Sequence, residues 1–175
     1  DLMEEGLFYF DDPVHKYIPE FSKLMVVVDN NGESISSLRK EDLGCPHNLV
    51  KMDSVMTVQH LFNHTAGFYY ALTPSECLND SLAIKRILQA ENGDQLIDIL
   101  STLPLVQQPG QRYFYGMNTS VLGLLLERVT GKSLYQNLKE RVTKVHNIEG
   151  LAYTKPQGIE LLPTFTGREG NLRKI

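Results

Sequence analysis

Apolar residues recur at helical steps through much of the chain, and the breaks between those runs divide it into elements. Thr57 precedes Val58, Leu61 and Phe62 at helical spacing, which predicts a helix capped by its threonine and kept short by Gly67. Ser81 to Gln89 carries Leu82, Ile84, Ile87 and Leu88, and Gln95 to Leu103 carries Leu96, Ile99, Leu100 and Leu103. Both runs read as amphipathic helices. Thr119 to Val129 is apolar on nearly every face, through Val121, Leu122, Leu124, Leu125, Leu126 and Val129, and predicts a buried helix. Gly131 breaks the chain before a last amphipathic helix over Leu134 to Val142. Nearer the start, Asp11-Asp12-Pro13-Val14 opens a short helical turn that Tyr17-Ile18-Pro19-Glu20-Phe21 closes. The β-branched run Met25 to Asp29, followed by Asn30-Asn31-Gly32 and a polar stretch, predicts a small hairpin at that turn.

Composition narrows the function classes. A chain of 175 residues with 42% hydrophobic content is long enough for one domain with its own core, and a single domain over 1–175 is expected. The 17 basic and 21 acidic residues leave a net charge of -4 without a like-charged block, so nucleic acid is not an expected partner. No apolar stretch approaches the ~20 residues of a membrane span, and none is expected. Cys45 and Cys77 stand apart, outside any CxxC spacing, and read as ordinary thiols. The five histidines show no paired ligand spacing, so neither a metal nor another cofactor is expected.

Asp1-Leu2-Met3-Glu4-Glu5-Gly6 has the pattern of the last turns of a helix and its terminating glycine, without that helix's beginning. Gly167-Arg168-Glu169-Gly170-Asn171-Leu172 reads as a turn leading into a strand, with Ile175 reached before a partner strand. Truncation at both ends is the resulting expectation.

Sequence blocks along the chain then carry a resemblance. They are Asp11-Asp12-Pro13-Val14-His15-Lys16-Tyr17-Ile18-Pro19-Glu20-Phe21, Met56-Thr57-Val58-Gln59-His60-Leu61-Phe62-Asn63-His64-Thr65-Ala66-Gly67, Leu105-Val106-Gln107-Gln108-Pro109-Gly110-Gln111-Arg112-Tyr113-Phe114-Tyr115, and Val121-Leu122-Gly123 through Glu127-Arg128-Val129-Thr130-Gly131-Lys132-Ser133-Leu134. In order and spacing they resemble the serine β-lactamase family, nearest its class C β-lactamase, carboxylesterase and D-Ala-D-Ala carboxypeptidase branch. The resemblance implies a mainly α chain with a small hairpin, the helical part of the α/β β-lactamase/transpeptidase-like fold. Such enzymes acylate the serine of a Ser-x-x-Lys helix, where the lysine one turn on accepts its proton. A tyrosine shares the proton transfers, and a Lys/His-x-Gly strand faces it. By resemblance Asp1 to Gly6 is the tail of the Ser-x-x-Lys helix, which puts the nucleophile upstream of Asp1.

Tyr115, in Tyr115-Gly116-Met117-Asn118, matches the family tyrosine, expected to act as general base and acid. A phenol with an ordinary pKa of ~10 serves as a base only beside positive charge, which the family's lysines supply. Class C enzymes carry Asn two residues after the tyrosine. Met117 stands there and Asn118 follows, so Asn118 is a weaker candidate for substrate-amide binding and the pattern tilts toward an esterase-like relative. His64, Thr65 and Gly67 are expected to be structural, tying a helix end to the turn beneath the tyrosine loop.

Other motifs fail on their surroundings. Ser37-Leu38-Arg39-Lys40 has the Ser-x-x-Lys letters but runs into Glu41 and Asp42 rather than an apolar helix. Gly131-Lys132-Ser133 resembles the end of a phosphate loop, yet Leu126 occupies the place of its first glycine. Two function classes follow. In one, the parent is a serine hydrolase of β-lactams, short-chain esters or D-amino-acid peptides, these residues alone being inactive. In the other, the chain is a catalytically dead helical module that binds a ligand or partner. In both, the apolar face left without a sheet is expected to favour a homo-oligomer.

Overall fold

The computed structural model describes residues 2–37, 48–70, 73, 75, 78, 86–155, 157–158, 160, 162–163, 165–168 and 171–174. Cys45, Cys77 and most of the helix expected over Ser81 to Gln89 lie outside them. The chain divides into two compact units, Asp1–Leu134 and Tyr135–Ile175.

In the first unit the helix-tail pattern at the start is a helix-terminating turn. Leu7 N–H donates to Leu2 O at 3.0 Å and Gly6 N–H to Met3 O at 2.9 Å, the paired bonds of a Schellman end. Two 3₁₀ turns follow, Val14–Lys16 and Pro19–Lys23, with Pro19 at a first-turn position where its missing N–H costs nothing. Both drop apolar residues into the core, where Val14, Ile18 and Phe21 are buried.

Strand β1, Met25–Val28, does not form the hairpin expected at Asn30-Asn31-Gly32. It pairs antiparallel with β2, Asn48–Lys51, with Met25 opposite Lys51 and Val28 opposite Asn48. The turn itself is present: Asp29 Oδ1 accepts the N–H of Asn31 at 2.9 Å and of Glu33 at 2.7 Å. The returning stretch makes a single bridge, Val28 to Ser34, before a 3₁₀ turn begins at Ile35. Ile35 is fully buried, so the polar stretch leaves the ladder to place that side chain in the core.

On its other edge β1 meets an extended strip. Leu105 bridges Val26 in parallel, with Leu105 N–H donating to Met25 O and Val27 N–H to Leu105 O, both at 2.8 Å. Val106 N–H continues the pattern to Gly67 O at 3.0 Å. Leu105, Val106 and Gln107 are all buried, and this strip fixes what precedes the tyrosine loop.

Helix α1 is Val58–Phe62. His60 Nδ1 accepts the Thr57 N–H at 3.2 Å, and burial holds the imidazole below its ordinary pKa, which favours the neutral ring this bond needs. Helix α2, Gly93–Ser101, starts two residues before the apolar periodicity does, because Asn92 Oδ1 caps Gln95 N–H at 2.9 Å. Helix α3 is Asn118–Thr130, ended by Gly131 at a φ of 65°. It is less enclosed than its composition suggests: Val121, Leu124 and Leu125 are buried, whereas Leu122, Leu126 and Val129 are half-buried. The core takes one stripe of the helix and leaves its flanks partly open.

The expected last helix is divided. Helix α4, Leu134–Leu138, passes into a π-helical turn over Lys139–Thr143, where Lys144 N–H reaches back five residues to Lys139 O at 3.0 Å. In the second unit the strand expected without a partner has one. β3, Phe165–Arg168, pairs antiparallel with β4, Asn171–Lys174, Arg168 lying opposite Asn171.

Candidate functional site

The end of α1 begins the site. His64 adopts a φ of 54°, the left-handed region. His64 N–H donates to Leu61 O at 3.3 Å and Thr65 N–H to His60 O at 2.8 Å. These bonds make a Schellman end with histidine in the place glycine usually holds, a conformation costing an L residue roughly 1 kcal/mol.

Thr65 adds a bond from its hydroxyl to His60 O at 3.4 Å. Gly67 has a φ of 94°, and a Cβ there would stand 2.7 Å from Gln107 O, so glycine alone lets the turn lie against the buried strip. The turn reaches the tyrosine loop through its backbone. Thr65 O accepts Gly110 N–H at 2.9 Å, and His64 O accepts Phe114 N–H at 2.8 Å. Gln107, fully buried, donates through Nε2 to Arg112 O at 2.5 Å and to Thr65 O at 3.4 Å.

This bracing holds Tyr115 out to solvent. The residue is 65% exposed, on the loop that leads directly into α3. Its ring lies 5.7 Å from that of His64, centroid to centroid, with the planes only 17° apart. Tyr70 packs against Tyr115 at 5.5 Å, and Tyr113 against His64 at 5.7 Å. The spacings are those of offset aromatic pairs. Tyr115 is therefore mostly exposed, with the rings of His64 and Tyr70 as its aromatic neighbours.

Asn118 has a different environment. It opens α3 and is 0% exposed, with Nδ2 3.3 Å from His64 Nδ1. The structure thus brings His64, Tyr115 and Asn118 together, with Asn118 behind the histidine rather than at the surface. Tyr69, next to the aromatic group in sequence, is 3% exposed, and burial pushes its phenol well above the ordinary range. It stays neutral and takes no proton. The lysine of Ser37-Leu38-Arg39-Lys40 lies outside the described residues.

Sequence reasoning missed two contributors. Gln107 entered only as a member of the block before Tyr115, with no role assigned, and its polar side chain does not mark it as buried. Gly116 sits so close to the segment before it that a Cβ would stand 2.7 Å from Tyr69 Cα and inside contact distance of the Phe68 carbonyl oxygen. A glycine directly after a candidate catalytic residue was the available signal.

Residues 1–167 match the sequence profile of the family described as Beta-lactamase. The chain belongs to this β-lactamase family. Protein Rv1367c of Mycobacterium tuberculosis is 31% identical over 81% of the chain and 32% of its own length. Acyltransferase mokF of Monascus pilosus is 30% identical over 91% of the chain and 35% of its length. The chain thus spans about a third of the length of the curated relatives it matches. Among solved structures, EstCE1, "a hydrolase with promiscuous acyltransferase activity", superposes with a TM-score of 0.69 at 21% identity, over 99% of this chain and 40% of that one. That likeness places the β-lactamase-family chain in the same fold. Among the described residues no helix is long and apolar enough to cross a membrane.

Proposed function

We propose that these residues form the tyrosine-bearing helical part of a serine acyl hydrolase or acyltransferase, truncated relative to the whole enzyme, in which Tyr115 carries the proton. A Ser-x-x-Lys helix and a Lys/His-x-Gly strand elsewhere in the full-length protein complete the site. The observation that carries the reading is the exposed Tyr115 ring on a loop fixed from both sides, by His64 O to Phe114 and by Gly116 against Phe68. A group that moves a proton between reactants needs both access and a set position.

In the reaction, serine Oγ attacks the substrate's carbonyl carbon while its proton passes to the Tyr115 oxygen, which acts as the phenolate beside the positive charge of the family's lysines. The bond to the leaving group breaks, and Tyr115 returns the proton to the departing oxygen or nitrogen. Water, or an alcohol in an acyltransferase, then attacks the acyl-serine, Tyr115 taking its proton and handing it back to serine Oγ. A short-chain ester is the favoured substrate over a β-lactam or D-amino-acid peptide, supported by Met117 where class C enzymes carry asparagine and by relatives named for acyl transfer. The role of Asn118 is to support His64 rather than to bind substrate, since its amide is enclosed.

Tyr115→Phe in the full-length gene product should lower the acylation rate by a factor of ~100 or more, with a p-nitrophenyl ester as substrate. Its thermal melt should match wild type, because one exposed hydroxyl is removed. Unchanged turnover in the Phe variant would defeat the assignment of Tyr115, whereas absence of turnover in the wild-type full-length protein would leave the catalytically dead binding module standing.

A further inference from the structure

We propose that His64 is the positioning residue of the tyrosine, its imidazole serving as the platform that sets the plane of Tyr115. The proposal rests on Tyr115 being the proton carrier and adds what holds it. Three observations converge on the imidazole.

The first is where the residue stands. The end of α1 needs a left-handed residue, and glycine meets that need without strain. Histidine at a φ of 54° meets it with strain, so the backbone alone gives no reason for an imidazole there.

The second is the bond made by the ring. Its Nδ1 lies 3.3 Å from Asn118 Nδ2, and Asn118 is fully buried on the first residue of α3. A buried amide N–H is costly unless it is hydrogen-bonded, and here Nδ2 is directed to the imidazole while Oδ1 has no partner among the described residues. The ring is pinned along one edge to a helix end that is itself part of the core.

The third is what the ring faces. Tyr115 lies 17° from parallel to it at 5.7 Å, with Tyr113 tilted 47° at the same distance. The backbone of His64 also accepts Phe114 N–H at 2.8 Å. One residue therefore fixes the main chain at position 114 and the ring at position 115, and links both to α3 through Asn118. Tyr70 also packs against Tyr115, tilted 46° at 5.5 Å, but the imidazole is the neighbour that lies near parallel to the ring and is tied to Asn118, so it sets the plane in which the hydroxyl points.

His64→Asn separates platform from turn. Asparagine tolerates the left-handed conformation and keeps the backbone carbonyl that holds Phe114, but it has no ring. In the full-length gene product carrying 3-fluorotyrosine, with the Tyr115 resonance assigned by its loss in Tyr115→Phe, His64→Asn should move that ¹⁹F resonance and leave those of Tyr135 and Tyr153 in place. With a p-nitrophenyl ester, kcat should fall about tenfold at nearly constant KM, because misplacing a reacting group by ~1 Å costs up to 10²-fold. The melting temperature should stay near wild type. Asn118→Leu should reproduce the ¹⁹F shift, since it frees the ring edge.

An unmoved Tyr115 resonance in His64→Asn overturns the proposal, as does unchanged kcat in a protein that Tyr115→Phe inactivates. If Tyr115→Phe leaves turnover intact, the catalytic reading falls, and the ¹⁹F shift still decides whether the imidazole orients the ring. Should His64→Asn lose its cooperative melt, His64→Gly, which meets the φ without strain, carries the same comparison.

Discussion

Replacing Gly116 with alanine should damage the site more than any other single-methyl change in the loop. The added Cβ would fall inside the contact distance of the Phe68 carbonyl oxygen, 2.5 Å from Phe68 C and 2.7 Å from Tyr69 Cα. Favourable carbon contacts lie at about 3.5–4.0 Å, so the loop must retreat by roughly 1 Å. The obstructing atoms are backbone and cannot swing aside as a flexible side chain would. Phe68 and Tyr69 are both buried, and Gly67 O beside them is bonded to Val106 N–H at 3.0 Å. The cost of overpacking should be about 2 kcal/mol, measurable by urea denaturation. The movement falls on the residue adjacent to Tyr115, and a displacement of ~1 Å at a reacting group lowers rate by about 100-fold. Steady-state kinetics of the full-length gene product with a p-nitrophenyl ester would read this out. Gly131→Ala is the control: at a φ of 65° it is strained by about 1 kcal/mol, but nothing lies within 4 Å of its Cβ. It should lower stability slightly and leave turnover alone. Wild-type kcat and stability in Gly116→Ala would refute the view that loop position is set by this contact.

Two further outcomes follow from other parts of the chain. Asp12 is held down to a pKa of about 2 by hydrogen bonds from Lys16 Nζ at 2.9 Å, Tyr17 Oη at 2.5 Å and Tyr9 N–H at 2.8 Å. A depressed carboxylate stabilises the fold above its ordinary pKa of ~3.9 and loses that contribution as pH falls toward 2. Asp12→Asn should therefore be less stable than wild type at neutral pH, with the gap closing between about pH 4 and pH 2; a gap independent of pH would count against the ionic contribution. The half-buried flanks of α3 and the exposed Leu49, Val50 and Val55 should favour self-association of the isolated 175 residues. Light scattering that finds a monodisperse monomer at micromolar concentration would reject this.

The elements decided by neighbours in sequence were legible before any coordinates. Gly131 ends α3 and Pro13 leads into a short helical turn because these residues act on their own backbone torsions, whereas Pro19, expected to close that turn, opens a second one. The blocks around His64, Tyr115 and Gly131 were enough for the family, which the profile match over residues 1–167 bears out. Helix start was less legible at α2, where Asn92 capping outweighed the apolar period.

What tertiary structure alone decided is non-local. The polar stretch after Asn30-Asn31-Gly32 offered β1 a near partner, but burying Ile35 drew it away, and β1 pairs instead with Asn48–Lys51 and the strip at Leu105. Likewise, Asn118 was a weaker candidate for substrate-amide binding, one residue beyond the place where class C enzymes carry asparagine. Its burial against His64, 54 residues earlier in the chain, depends on how α1 and α3 pack, which no periodicity within either helix encodes. Gln107 and Gly116 pack against the candidate site for the same reason: a close approach between distant backbones is a property of the packed core, and a sequence lists its members without saying which of them touch.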